Sequence, residues 1–146
     1  MPLAKDLREF IESLSLNGVD FVVVGAFARA HHGAPRYTGD IDLLVRPSEE
    51  NANRLIRALT QFGFGLLGLT PADFMVPERV VQLGVPPNRI DLLTSITGLT
   101  FEEVWQRRVA AELDGLPVSF ISRQDFIVNK RATGRSKDLA DAEAVE

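Results

Sequence analysis

Apolar residues along this chain recur every three or four positions in some segments and run together in others. Leu3, Leu7, Phe10, Ile11 and Leu14 fall on one face of a helix, and Asn17-Gly18 supplies its stop. Phe21 to Val24 is a continuous apolar run rich in β-branched residues, the pattern of a strand buried on both faces. Gly25 ends that run. Ala26 to His32 then reads as a short helix stopped by Gly33 and Pro35, and a polar stretch at 36–39 leads into a second strand that begins at Asp40. Side chains two apart on a strand share a face. Asp40 and Asp42 therefore lie on one side, with Ile41, Leu43 and Val45 on the other.

Ser48 followed by Glu49 and Glu50 is a helix start, and Ala52, Leu55, Ile56, Leu59 and Phe62 supply the buried stripe of a helix that Gly63 ends. Residues 64–69 read as a glycine-interrupted strand, and Thr70-Pro71-Ala72-Asp73 as a capped single turn. Two strands follow at 79–85 and 89–94, joined by Pro86-Pro87-Asn88. Thr100 and Glu103 make a capping box opening a short helix, in which Phe101 and Trp105 have ordinary core spacing. Asp114-Gly115 is a hairpin turn between strands at 109–113 and 117–121. Ser122 and Asp125 begin a helix carrying Phe126 and Ile127, and a last helix at 136–145 follows Gly134. The expected fold is α/β (α+β), a mixed sheet flanked by helices, with residues 1–146 forming one domain.

Composition narrows the function classes. With no cysteine there is no disulfide framework, thiolate metal site or cysteine nucleophile. No apolar run approaches the roughly 18 residues of a membrane span, and the start MPLAKDLREF lacks the apolar core of a signal peptide, so the expectation is a cytoplasmic protein with no membrane partner. A net charge of −4 argues against broad, non-specific nucleic-acid binding. Lys130, Arg131, Arg135 and Lys137 gather near the end, but among Asp138, Asp141 and Glu143, which reads as a mixed surface.

The chemistry concentrates on three acids. Two carboxylates held close raise each other's pKa unless a cation sits between them, and hard cations such as Mg2+ take oxygen ligands in this arrangement. Asp91, inside the strand at 89–94, brings a third carboxylate wherever the sheet sets that strand beside Asp40 and Asp42. Such a set can hold one or two Mg2+ ions that clamp phosphates and activate a hydroxyl, with Asp91 as base or as ligand of the second ion. A D-x-D pair alone is more often a solvated strand end. What raises this one is the joint order of apolar strand, Gly25-Ala26, short helix, Asp40-Ile41-Asp42 and a later Asp91. Arg36 and Thr38, on the loop before the acids, either contact phosphate and steady Asp40 or are ordinary solvated loop residues. His31 and His32 sit at a helix end, where the dipole favours histidine without any catalytic role.

The run VVVGAFARAHHGAPRYTGDIDLLV, with RIDLL at 89–93 and the closing KRATGRSKDLAD, resembles the nucleotidyltransferase superfamily of the DNA polymerase β type. It is most similar to the minimal bacterial nucleotidyltransferases related to abortive-infection and toxin-antitoxin proteins. The resemblance implies Mg2+ held by Asp40, Asp42 and Asp91, close approach of Gly25 to the nucleotide phosphates, and a lysine facing the nucleotide at Lys130. Ala26 departs from the family's Gly or Ser, keeping close backbone approach but offering no hydroxyl. The implied activity is transfer of a nucleoside monophosphate from an NTP to an acceptor hydroxyl of a small molecule, protein or RNA. The alternative is a non-catalytic nucleotide-binding or toxin-antitoxin module on the same fold. Little lies beyond the catalytic core, so the acceptor site is expected from a homodimer or a protein partner.

Overall fold

The structure is a computed structural model that describes residues 4–35, 39–84 and 88–146. Its elements follow in the order α1 (Lys5–Leu16), β1 (Phe21–Val24), α2 (Gly25–His31), β2 (Ile41–Val45), α3 (Glu49–Phe62), β3 (Val80–Leu83), β4 (Ile90–Leu93), α4 (Phe101–Gln106), β5 (Val109–Leu113), β6 (Leu116–Phe120), α5 (Arg123–Thr133) and α6 (Ser136–Val145). The six strands make one mixed sheet ordered β3-β4-β2-β1-β6-β5. β1 pairs antiparallel with β2 and parallel with β6, while β2 runs parallel to β4. The α/β expectation holds. No helix among the described residues is long and apolar enough to cross a membrane.

Apart from Asp42, the two central strands are apolar because both faces are covered. Every residue of β1 is buried, as are Ile41, Leu43, Leu44 and Val45 of β2. The buried stripe of α1 (Leu7, Phe10, Ile11, Leu14) packs against α3, where the Phe10 ring meets Phe62 edge-on at 5.4 Å. Asn51 of α3 is buried and fully used: it accepts from the Asp20 N–H at 2.7 Å and donates to the carbonyls of Asp20 and Arg46. These bonds tie the entry of β1 to the exit of β2 and fix the register that matters for the acids.

Residues 64–69 are not a strand. Gly65–Leu67 is a single 3-10 turn closed by Gly68 at φ 71°. The reason lies in Phe64, whose ring packs against Phe10 at 6.0 Å and Phe62 at 5.8 Å, so the chain folds back onto α1 and α3 and does not extend. The other local signals act as the pattern indicates. Ser48 accepts from the Asn51 N–H, Thr70 with Asp73 and Thr100 with Glu103 form capping boxes, and Asp114-Gly115 turns the hairpin with both residues at positive φ. Phe101 is buried and stacks on Trp105 at 5.6 Å, with the Arg46 guanidinium over both rings. Leu3 and the Pro86-Pro87 part of the β3–β4 turn lie outside the described residues.

Candidate active site

The site grows from one row of residues across the sheet. Val24 of β1 is paired with Asp42 of β2, and Asp42 with Asp91 of β4. Neighbouring strands lie about 4.8 Å apart, so the parallel register sets two carboxyl groups side by side. Asp40 stands just before β2, where the Ile41 N–H bonds the Arg89 carbonyl and continues the ladder. The three acids singled out by pattern therefore meet at one end of β2 and β4.

Gly25 makes room for them. It follows β1 at φ 67°, a backbone conformation open to glycine, and a Cβ built there would lie 2.1 Å from Oδ2 of Asp42. The space a side chain would take is filled by that carboxylate. Gly25 thus seats an acid on the protein's own account, a role that a phosphate-binding reading of the glycine alone does not include.

Electrostatics at the row are strained. Burial, then the charge and hydrogen bond of Asp91, and to a smaller extent Asp40, push the Asp42 carboxyl up to about 6, while Lys130 pulls the other way. Arg89 answers part of the charge. Its Nε and Nη2 donate to the two oxygens of Asp91 at 2.9 and 3.1 Å, and Nη2 reaches Asp40 at 3.2 Å. With Asp40 and Asp91 engaged by the guanidinium, no three acidic or imidazole groups among the described residues close around a common point. The donor set itself suits a hard divalent cation, being all carboxylate oxygen.

α5 and α6 form the opposite wall. Lys130 Nζ lies 3.5 Å from Asp138, whose other oxygen accepts from the Thr133 hydroxyl at 2.7 Å and from Arg135 at 2.8 Å. Burial raises the Asp138 carboxyl, but these bonds and the Lys130 charge outweigh it and hold it below its ordinary value. Asp141 pairs with Arg29 of α2 at 3.2 Å. The expected mixed surface is corrected here. Asp138 and Asp141 are both only 4% exposed, because with Ala142 and Val145 they occupy the inward face of α6. Their three-residue spacing was the signal for that face; what hid it was the surrounding run of charge.

Between these walls lie two adjoining cavities. One of about 280 Å³ is lined by Gly25, Ala26, the three acids and Lys130, among others. The other, about 270 Å³, shares Gly25, Asp42 and Lys130 and continues past neutral Ser95, Thr97 and Asn129. The structure thus gathers Gly25, Ala26, Asp40, Asp42, Asp91 and Lys130 around one cleft. Arg36 and Thr38 lie outside the described residues. His31 stacks on Phe120 at 4.3 Å and lines a separate cavity, and His32 Nε2 is 2.7 Å from the Ile121 carbonyl. Arg89, Arg29 and Asp138 were not singled out by pattern, since each takes its place through a partner distant in sequence or on another element.

Residues 3–146 match the family described as nucleotidyl transferase of unknown function (DUF2204). Among solved structures, a candidate nucleotidyltransferase from Thermotoga maritima shares the fold, with a TM-score of 0.59 and 16% identity over 95% of this chain and 87% of that one. An antigenic nucleotidyltransferase-like protein from Paracoccidioides brasiliensis aligns over 99% of this chain and 78% of its own, with a TM-score of 0.48 and 17% identity. No curated protein matches the chain. With 3–146 matched from end to end and the fold shared, this chain belongs to the nucleotidyl transferase family that the match describes.

Proposed function

We propose that the chain is a Mg2+-dependent nucleotidyltransferase that moves a nucleoside monophosphate from an NTP to an acceptor hydroxyl and releases pyrophosphate. The observation that carries this reading is the in-register pair of Asp42 and Asp91, with Asp40 beside them and Gly25 opening the space in front. Asp40, Asp42 and Asp91 would hold the metal, two ions being the natural number for an in-line displacement at phosphorus. Asp91 also serves to draw the proton from the acceptor hydroxyl. Gly25 and Ala26 line the path of the phosphates, and Lys130 offsets triphosphate charge once it turns from Asp138. Arg36 and Thr38, which precede Asp40 in the sequence, are assigned contacts with the nucleotide phosphate. The part of the adjoining cavity formed by Ser95, Thr97 and Asn129 has neutral hydrogen-bonding groups suited to a sugar or base.

The second reading is a non-catalytic nucleotide-binding or toxin-antitoxin module. Ala26, with no hydroxyl for a phosphate, favours it. Under the transferase reading the ligand is an NTP in the cytoplasm, and a homodimer or protein partner completes the acceptor side. The test uses each α-32P-labelled NTP with Mg2+ and three acceptor sets: total RNA, aminoglycoside-type polyols and the protein itself. Label transfer by the wild type that is lost in Asp42→Asn supports transferase chemistry. Mg2+-dependent NTP binding with no transfer to any acceptor favours the module.

A further inference from the structure

Arg89 precedes Asp91 by two residues, so both side chains leave the same face of the strand. Its guanidinium takes both oxygens of Asp91 at 2.9 and 3.1 Å and reaches an oxygen of Asp40 at 3.2 Å. Those are the same oxygens that a cation shared by Asp40 and Asp91 would need. A guanidinium cannot shed its proton to make way; it can only swing out on its long side chain. Arg89 is 28% exposed at the side chain and borders the acidic cavity, so the swing needs no movement of the sheet.

A bare divalent cation must therefore evict a positive charge that gains no new partner. A cation arriving with a triphosphate brings anionic oxygens in the geometry that an arginine fork prefers. Lys130, another cation lining the acidic cavity, is engaged with Asp138 at 3.5 Å. We propose that Arg89 is the resident counter-ion of the acid site: it competes with free divalent metal for Asp40 and Asp91 and yields when metal and triphosphate arrive together. Metal binding thereby becomes conditional on nucleotide, and the coupling is reciprocal. This rests on the nucleotidyl-transfer reading of the acids.

The test follows free Mn2+ by electron paramagnetic resonance in titrations of the wild type, Arg89→Gln and Arg89→Lys, with and without α,β-methylene analogues of the four NTPs. Without nucleotide, Arg89→Gln binds Mn2+ more tightly than the wild type, by a factor in the usual range for coupled sites of about 5- to 150-fold. The tightening that an analogue produces shrinks in the variant by a similar factor. Arg89→Lys keeps the charge and loses the fork, so its affinity for Mn2+ alone stays near the wild type while the analogue effect falls; it carries the test should the glutamine variant not fold. A purely structural arginine gives the opposite sign, with weaker Mn2+ binding on removal, and that result overturns the inference. Wild type that binds Mn2+ with an analogue, beside an indistinguishable Arg89→Gln, overturns the inference alone. No Mn2+ bound by any of the three proteins overturns the nucleotidyl-transfer reading and this inference with it.

Discussion

Replacing Asp42 by asparagine should stabilise the metal-free protein at neutral and alkaline pH and leave it nearly unchanged in acid. The Asp42 carboxyl is pushed up to about 6 from its ordinary 3.8, chiefly by burial and then by Asp91. The folded chain thus holds this proton more tightly than the unfolded one, and between those values stability falls as pH rises. Above about pH 6 the full penalty is present, on the order of 3 kcal/mol at 1.36 kcal/mol per pH unit. Asparagine is nearly isosteric and its amide can donate to Asp91, so the variant should gain about 2–3 kcal/mol at pH 8 and close to nothing at pH 4. Asp138, whose depressed carboxyl favours the opposite pH trend, is present in both proteins and drops out of the difference. The assay is urea unfolding with a chelator present, followed by circular dichroism across this pH range. A gain of equal size at every pH, or a loss at pH 8, would show that the Asp42 carboxylate carries no such penalty. Adding Mg2+ and an NTP should reverse the order, because ligand stabilises only the protein that binds it.

Gly25→Ala places a Cβ 2.1 Å from Oδ2 of Asp42 at φ 67°; backbone strain alone costs about 1–2 kcal/mol, and displacement of the carboxylate should weaken Mg2+-NTP binding as well, measured by unfolding and titration together. Asp138→Ala removes the partner of Lys130, Thr133 and Arg135; leaving the largely buried Lys130 charge unpaired should cost about 2–4 kcal/mol in urea unfolding, whereas a surface ion pair would cost well under about 1. Lys130→Met deletes a charge that pulls the Asp42 carboxyl down; the Asp42 titration by carboxyl-detected NMR should move further above the ordinary range, and NTP affinity should fall.

Local signals were legible in the sequence wherever a residue and its partner sit within a few positions. Ser48, Thr70 with Asp73, Thr100 with Glu103, and Asp114-Gly115 each determine a turn or cap from their own neighbourhood. The strand, glycine and D-x-D order was legible for a different reason: Gly25 must lack a side chain because Asp42 fills that space, so the two signals belong to one geometric constraint. Residues 64–69 misled because an apolar run with glycines is ambiguous, and only the distant rings of Phe10 and Phe62 decide that Phe64 turns back. Asp138 and Asp141 were hidden among charges, and their burial depends on Lys130 and Arg29, cations on other helices. Arg89 looked like a residue opening a strand; its position over the acids follows from the parallel pairing of β2 with β4, which pattern alone does not specify.

The most direct test of the account is calorimetric titration of each of the four NTPs, with and without Mg2+, into the wild type and Asp40→Asn. Mg2+-dependent binding of at least one NTP by the wild type, lost in the variant, is the expected result. Binding that ignores Mg2+ or survives Asp40→Asn, or no binding of any NTP, would contradict it.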